Sequence, residues 1–211
     1  WRSGPGRGYR HSPSRCVRGP SRGSLRSVPD RAEVHQPPPE SVIDNVIRAN
    51  RAYTETFVGS RPTPPALHLT VVTCMDSRLD LFGALGLEIG DAHLIRNAGG
   101  VVTDDVLRSL AISQRLLGTR EIIVIHHTEC GMFNFDDVEF RYRLTKESGI
   151  EPEWRVPGFT DLELDVRQSV QRIKESLWLE HRSSVRGFIF DVATAEVTEV
   201  TEVPAIAPVA G

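Results

Sequence analysis

Apolar positions recur along the chain at two different periods, and their alternation predicts an ordered series of helices and strands. From Ser41 to Phe57, the residues Val42, Val46, Ala49, Tyr53 and Phe57 return every three or four positions, which puts them on one helical face. Ser41 followed by Asp44 has the form of a capping box, and Pro37 to Pro39 mark a linker before it. Leu67 to Cys74 (LHLTVVTC) is dominated by apolar and β-branched residues and predicts a buried strand. Leu79 to Leu87 reads as a short helix or turn, and Ala92 to Asn97 as a second strand ending before Gly99-Gly100. The strongest helix signal runs from Asp104 to Gly118. It has two acids in the first turn, apolar Val106, Leu107, Leu110, Ala111, Leu116 and Leu117, and a terminal glycine. Arg120 to His127 repeats the buried-strand pattern.

Beyond His127 the signals weaken and then recover. Asp136 to Lys146 is a fainter helix. Thr160 with Glu163 predicts the capped start of another, along which Leu162, Val166, Val170, Ile173 and Leu177 make a stripe that packs against the sheet. Val185 to Val200 predicts a strand, a turn around Ala193 to Glu196, and a further short strand. Apolar strands separated by helix-length connections imply parallel βαβ units rather than hairpins. The fold class expected is therefore α/β: a mostly parallel central sheet flanked by helices, with an antiparallel edge strand near the C-terminus.

Charge divides the chain before the first helix. Residues 1–31 hold eight Arg and one Asp, a formal +7, whereas the remainder holds 17 Lys plus Arg against 27 Asp plus Glu, a formal −10. Residues 1–36, rich in Arg, Gly, Ser and Pro, offer almost nothing for a core and predict a disordered extension. A basic arm for an anionic partner or a targeting segment stays open for it, although it lacks the apolar stretch of a secretory signal. A folded domain is expected over residues 37–204, and residues 205–211 form an irregular tail. The anionic body argues against nucleic acid as a partner. No apolar run approaches eighteen residues, so no membrane span is expected. Cysteines at positions 16, 74 and 130 are too few and too scattered for a disulfide scaffold, which predicts reduced thiols and a cytoplasmic protein.

Two predicted strands end in residues that bind metals. Cys74 closes one, and His127, followed two residues later by Cys130, closes another. Strands of a parallel sheet end on one edge, where open α/β sheets place their ligands, so the three side chains are expected to meet there. Two thiolates and one imidazole suit a tetrahedral zinc ion and leave its fourth position open, as a catalytic site requires. A His-x-x-Cys pair alone fits a small buried thiol equally well. Asp76 and Arg78, costly to place beside apolar strands without a purpose, tilt the balance toward a metal site. A zinc-stabilised binding module without turnover remains a further reading. A dinucleotide site has little support, because no G-x-G-x-x-G follows the first strand.

Cys74-Met75-Asp76-Ser77-Arg78, Arg96-Asn97-Ala98-Gly99-Gly100 and His127-Thr128-Glu129-Cys130-Gly131, in this order, resemble the motif series of the β-class carbonic anhydrases over residues 41–200. The resemblance implies one zinc per subunit on Cys74, His127 and Cys130, and reversible hydration of carbon dioxide to bicarbonate and a proton through zinc-bound hydroxide, a lyase activity. It implies an Asp76–Arg78 dyad beside the metal, which closes the site in some members by aspartate ligation. It also implies a homodimer or a multiple of dimers, in which the N-terminal helix packs across the partner. The shorter subgroup it matches includes hydrolases of carbonyl sulfide and carbon disulfide with the same ligands, so those substrates stand as the alternative. Leu79, Val101 and Val102 are expected to wall the substrate site, with Gly99 and Gly100 permitting close backbone approach. The loop from Met132 to Asp137 is expected to line it. His126, adjacent to a ligand but pointing away by strand alternation, is expected to be a core or supporting histidine.

Overall fold

The structure is a computed structural model that describes residues 41–201. The basic extension with Cys16, the proline linker and the C-terminal tail lie outside the described residues. The described chain divides into two units, residues 41–57 and residues 58–201.

The first unit is one helix, α1 (Val42–Thr54), which buries none of its residues and leaves Val42, Ile43, Val46, Ile47, Tyr53 and the following Phe57 exposed. Its cap differs in detail from the expected box. Ser41 accepts from the Ile43 N–H at 3.2 Å, one residue earlier than a capping box would place the bond.

The second unit contains strands β1 (Leu69–Cys74), β2 (Ala92–Asn97), β3 (Glu121–His127), β4 (Val185–Phe190) and β5 (Val197–Val200), in sheet order β2-β1-β3-β4-β5. The first four are parallel and β5 is antiparallel to β4, as the α/β reading expected. Helices α2 (Leu81–Leu85), α3 (Asp104–Leu117), α4 (Asp137–Ser148) and α5 (Leu162–Glu175) occupy the connections. Side chains alternate along each strand, so the sheet divides the core in two. Val72, Ile122, Val124 and Val185 join Val106, Leu107 and Leu110 of α3 and Val170 and Ile173 of α5 on one face. Val71, Ile125 and Phe190 join Leu79, Leu81, Met132 and Phe159 on the other, in the cluster that also holds Cys74 and Cys130. Gly187 lets α5 close on β4, because a methyl group there would press on Val166 and Val170.

Three local expectations are corrected. The α5 cap is Asp161, not Thr160: its carboxylate accepts from Leu164 N at 3.0 Å, and a charged acceptor suits the positive end of a helix better than a hydroxyl. Leu177 lies past the end of α5 and is exposed, as is Leu116, whereas Ser113 and Gln114 take the buried places on α3. Those polar side chains are tolerated inside because they are bonded. Ser113 Oγ meets Thr70, His93 and Thr119, and the Gln114 carboxamide spans the backbone of residues 180 and 181. Among the described residues no helix is long and apolar enough to cross a membrane.

Candidate metal centre

β1 and β3 are parallel neighbours, so their C-terminal ends emerge together on one sheet edge. Cys74 ends β1, His127 ends β3, and a turn with Glu129 in the left-handed region (φ 55°) folds Cys130 back beside them. The three candidate ligand atoms lie within 4.8 Å of one another, all in buried residues, and no fourth His, Cys, Asp or Glu among the described residues joins them. Both cysteines are free thiols with sulfurs 4.0 Å apart. Two zinc–sulfur bonds of about 2.3 Å at a tetrahedral angle would hold sulfurs roughly 3.8 Å apart, so the pair is nearly in place.

The histidine fits the same purpose. His127 Nδ1 donates to the Thr128 carbonyl at 2.8 Å, which fixes the tautomer and turns the lone pair of Nε2 toward the thiols. Nε2 is fully buried with no hydrogen-bond partner among the described residues, a costly arrangement unless a cation takes it. Electrostatics agree. Burial pushes the Cys74 thiol up, but the His127 ring and the backbone N–H groups of Asp76 and Gly99 beside it bring it down to about 7. Burial pushes Cys130 up to about 11, with the Cys74 sulfur beside it adding to the rise. Burial works against protonation of His127, yet the Cys74 sulfur beside it raises its pKa overall.

The loop after β1 carries the carboxylate. Arg78 Nε lies 3.1 Å and Nη2 2.8 Å from the two oxygens of Asp76, and the Arg78 backbone N–H adds a bond at 2.9 Å. Those side-chain and backbone bonds hold the Asp76 carboxyl well below the usual carboxylate range. Its Oδ2 stands 3.9 Å from His127 Nε2.

Two residues that sequence reasoning left without a role organise this loop. Glu129 receives the far side of Arg78, from Nη1 to its carboxylate and from Nη2 to its carbonyl, both at 3.1 Å. Arg96 reaches from β2 to the carbonyls of Cys74 at 2.9 Å and Asp76 at 2.6 Å. Both lie inside the motifs, which was the only signal available for them.

The expected lining residues separate. Leu79 shares the cluster of Cys74, Cys130 and Met132, and Val101 lies against Gly99. Val102 packs into the opposite cluster with Val72 and Val106. Phe135 packs beside the Cys74 cluster, whereas Phe133 is partly exposed. Gly99 and Gly100, in the turn Ala98–Gly100, have φ of 84° and 71°. A Cβ on Gly100 would stand 2.7 Å from the Cys74 nitrogen and 2.8 Å from the Thr73 carbonyl carbon, both backbone atoms that cannot give way. Gly100→Ala combines that overlap with a disfavoured φ, so it is expected to cost about 3 kcal/mol or more. A thermal melt should show Tm lower by roughly 6–12 °C. An unchanged melt would contradict the packing described.

A family model described as carbonic anhydrase matches residues 69–154. The chain is 52% identical over 161 residues to beta-carbonic anhydrase 1 of Mycobacterium tuberculosis, covering 76% of this chain and 99% of that protein. It is 44% identical over 103 residues to a carbon disulfide hydrolase of Acidianus, covering 48% of this chain and 46% of that protein. Among solved structures, the carbonic anhydrase of Streptococcus mutans superposes with a TM-score of 0.72 at 44% identity, covering 77% of this chain and 99% of that one.

Proposed function

Because this chain belongs to the β-class carbonic anhydrase family, we propose that it hydrates carbon dioxide reversibly to bicarbonate and a proton, holding one zinc ion on Cys74, His127 and Cys130. The observation that carries this reading is the buried Cys–His–Cys cluster with an arginine-clamped carboxylate beside it. A metal that served stability alone would call for a fourth protein ligand and would have no use for such a carboxylate.

When bound, zinc supplies a Lewis acid that lowers the pKa of water toward neutrality. The rest of the work falls to the side chains. Asp76 Oδ2 accepts the hydrogen of the attacking water and so aims an oxygen lone pair at the substrate carbon. Arg78 keeps that carboxylate ionised and, by gripping both oxygens, stops it swinging onto the ligand set. Leu79 and Val101 offer a nonpolar linear molecule an apolar surface, and Gly100 lets its turn pack directly on the backbone of Thr73 and Cys74.

The exposed apolar residues of α1 support a homodimer, or a multiple of dimers, with a second copy of this chain as the partner that covers them. Two thiols that must stay reduced to bind metal support a cytoplasmic location.

Stopped-flow carbon dioxide hydration, run beside hydrogen sulfide release from carbonyl sulfide and carbon disulfide on one zinc-loaded preparation, tests the substrate. Hydration is expected to dominate. Sulfide release outpacing it would move the reading to the hydrolase subgroup, and zinc-loaded protein inert to all three would end it.

A further inference from the structure

Arg78 is gripped from two sides, by residues on the loops of two different strands. Its Nε and Nη2 reach the Asp76 carboxylate at 3.1 and 2.8 Å. Its Nη1 reaches the Glu129 carboxylate and its Nη2 the Glu129 carbonyl, both at 3.1 Å. Four of the five guanidinium N–H donors are thereby engaged, two on each residue. The two grips fix different things. Asp76 and Arg78 stand two positions apart on the loop after β1, so their contacts bind the pair to itself and leave the two side chains able to pivot together. Arg96 fixes the carbonyl of Asp76 but not its carboxylate. Glu129 lies 51 positions beyond Arg78, in the turn after β3 that carries Cys130, and ties the pair to that second ligand-bearing loop. It does so from a φ of 55°, a conformation that glutamate rarely adopts and that persists only where the surroundings hold it.

We propose that Glu129 is a positioning residue of the reaction: by holding the far edge of Arg78 it keeps the Asp76 carboxylate off the metal position, which then stays open to water. Asp76 Oδ2 stands only 3.9 Å from Nε2 of His127, so a modest rotation would carry an anionic oxygen onto a cation held there. Arg78 opposes that rotation only while it is itself anchored. The Glu129 carboxylate is 72% exposed, and an ion pair so placed is weak by itself. Its effect is directional: with Nη1 released, the guanidinium can hinge about the single bond left to the Glu129 carbonyl and follow Asp76 inward.

The inference rests on the metal site and the Asp76–Arg78 roles proposed above, but its test reads access to the metal and not turnover. Cobalt(II)-loaded protein without substrate is titrated with azide, which takes the open position and changes the visible spectrum. Glu129→Ala should bind azide about 5-fold more weakly than the wild type, the loss of an exposed ion pair setting the scale. Loss of a negative charge beside the site would by itself draw azide in more tightly, so the sign separates closure by Asp76 from a plain charge effect. Glu129→Gln keeps an acceptor for Nη1 and should stay within about 2-fold of the wild type. With Asp76→Ala already in place, adding Glu129→Ala should cost nothing further, because no carboxylate remains to swing. Azide binding in Glu129→Ala as tight as in the wild type or tighter, the same loss in the Gln variant, or a loss that persists without Asp76 overturns the proposal. If Glu129→Ala does not fold, Glu129→Asn decides: it suits a positive φ better than glutamate and is too short to reach Nη1, so weakened azide binding supports the proposal and unchanged binding ends it. Cobalt-loaded wild type that binds azide but hydrates no carbon dioxide would count against the proposed reaction and leave this inference standing.

Discussion

Cys74→Ser is expected to abolish metal retention and with it the activity. Dialysed protein should fall from one zinc per chain to almost none, and hydration should drop by at least about 10³-fold. The hydroxyl takes the place of the thiol almost without change in volume, but it does not ionise near neutrality and is a poor partner for a soft divalent ion. The remaining His127 and Cys130 cannot close a site that the geometry builds from three buried donors. Elemental analysis beside a hydration assay checks this, and a Ser variant that keeps both zinc and turnover would remove Cys74 from the ligand set. The same site has a proton signature. In the metal-free protein Cys130, pushed up to about 11, is a thiol at any ordinary pH, and Cys74, near 7, becomes one as pH falls below that value. Both must be thiolates and His127 neutral to bind zinc, so zinc uptake should release more protons at pH 6 than at pH 8, from Cys74 and His127 together. Zinc affinity should weaken accordingly as pH falls through 7. Calorimetric titration in buffers of different ionisation enthalpy measures the count, and a release independent of pH would contradict it.

Asp76→Asn is the second large effect. The amide keeps the shape and loses the charge, so Arg78 forfeits its ionic partner and the attacking water its anionic acceptor. Hydration is expected to fall about 10²-fold while zinc content stays at one per chain. Arg78→Lys should lie between the two, because an ammonium cannot reproduce the planar fork that spans both Asp76 oxygens. The sign of the pH effect follows from the lowered Asp76 pKa, caused first by the side-chain and backbone hydrogen bonds of Arg78. Stabilisation from a carboxylate so shifted is complete above its unfolded value and is lost only as pH falls below it. Asp76 therefore stays ionised across the working range, and the pH profile of the wild type should carry no acid limb from it. An Asn variant with full activity and an unaltered profile would take Asp76 out of the mechanism.

Local signals carried the outline of the fold because each depends on neighbouring residues alone. The period of apolar positions gave the order of the strands and of helices α1 to α5, and the glycine after α3 ends that helix in the left-handed conformation that residue favours. Local chemistry failed where neighbours competed. Thr160 and Asp161 both offered a cap and the charged one took it, and Leu116 and Leu177 fitted an apolar stripe but lie beyond the part of each helix that meets the sheet.

The sequence by itself determined which atoms could bind the metal and on which edge they would stand, because parallel strands joined by helical crossovers must all end together. Only the tertiary structure decided what holds those atoms in place, Arg96 reaching across from β2 and the left-handed turn at Glu129, and that Asp165 meets His126 across 39 positions of chain. Such pairings leave no period or spacing in the sequence. They depend on which turn of α5 lies over which residue of β3, and that register is set by the packing of the whole α5 stripe on the sheet.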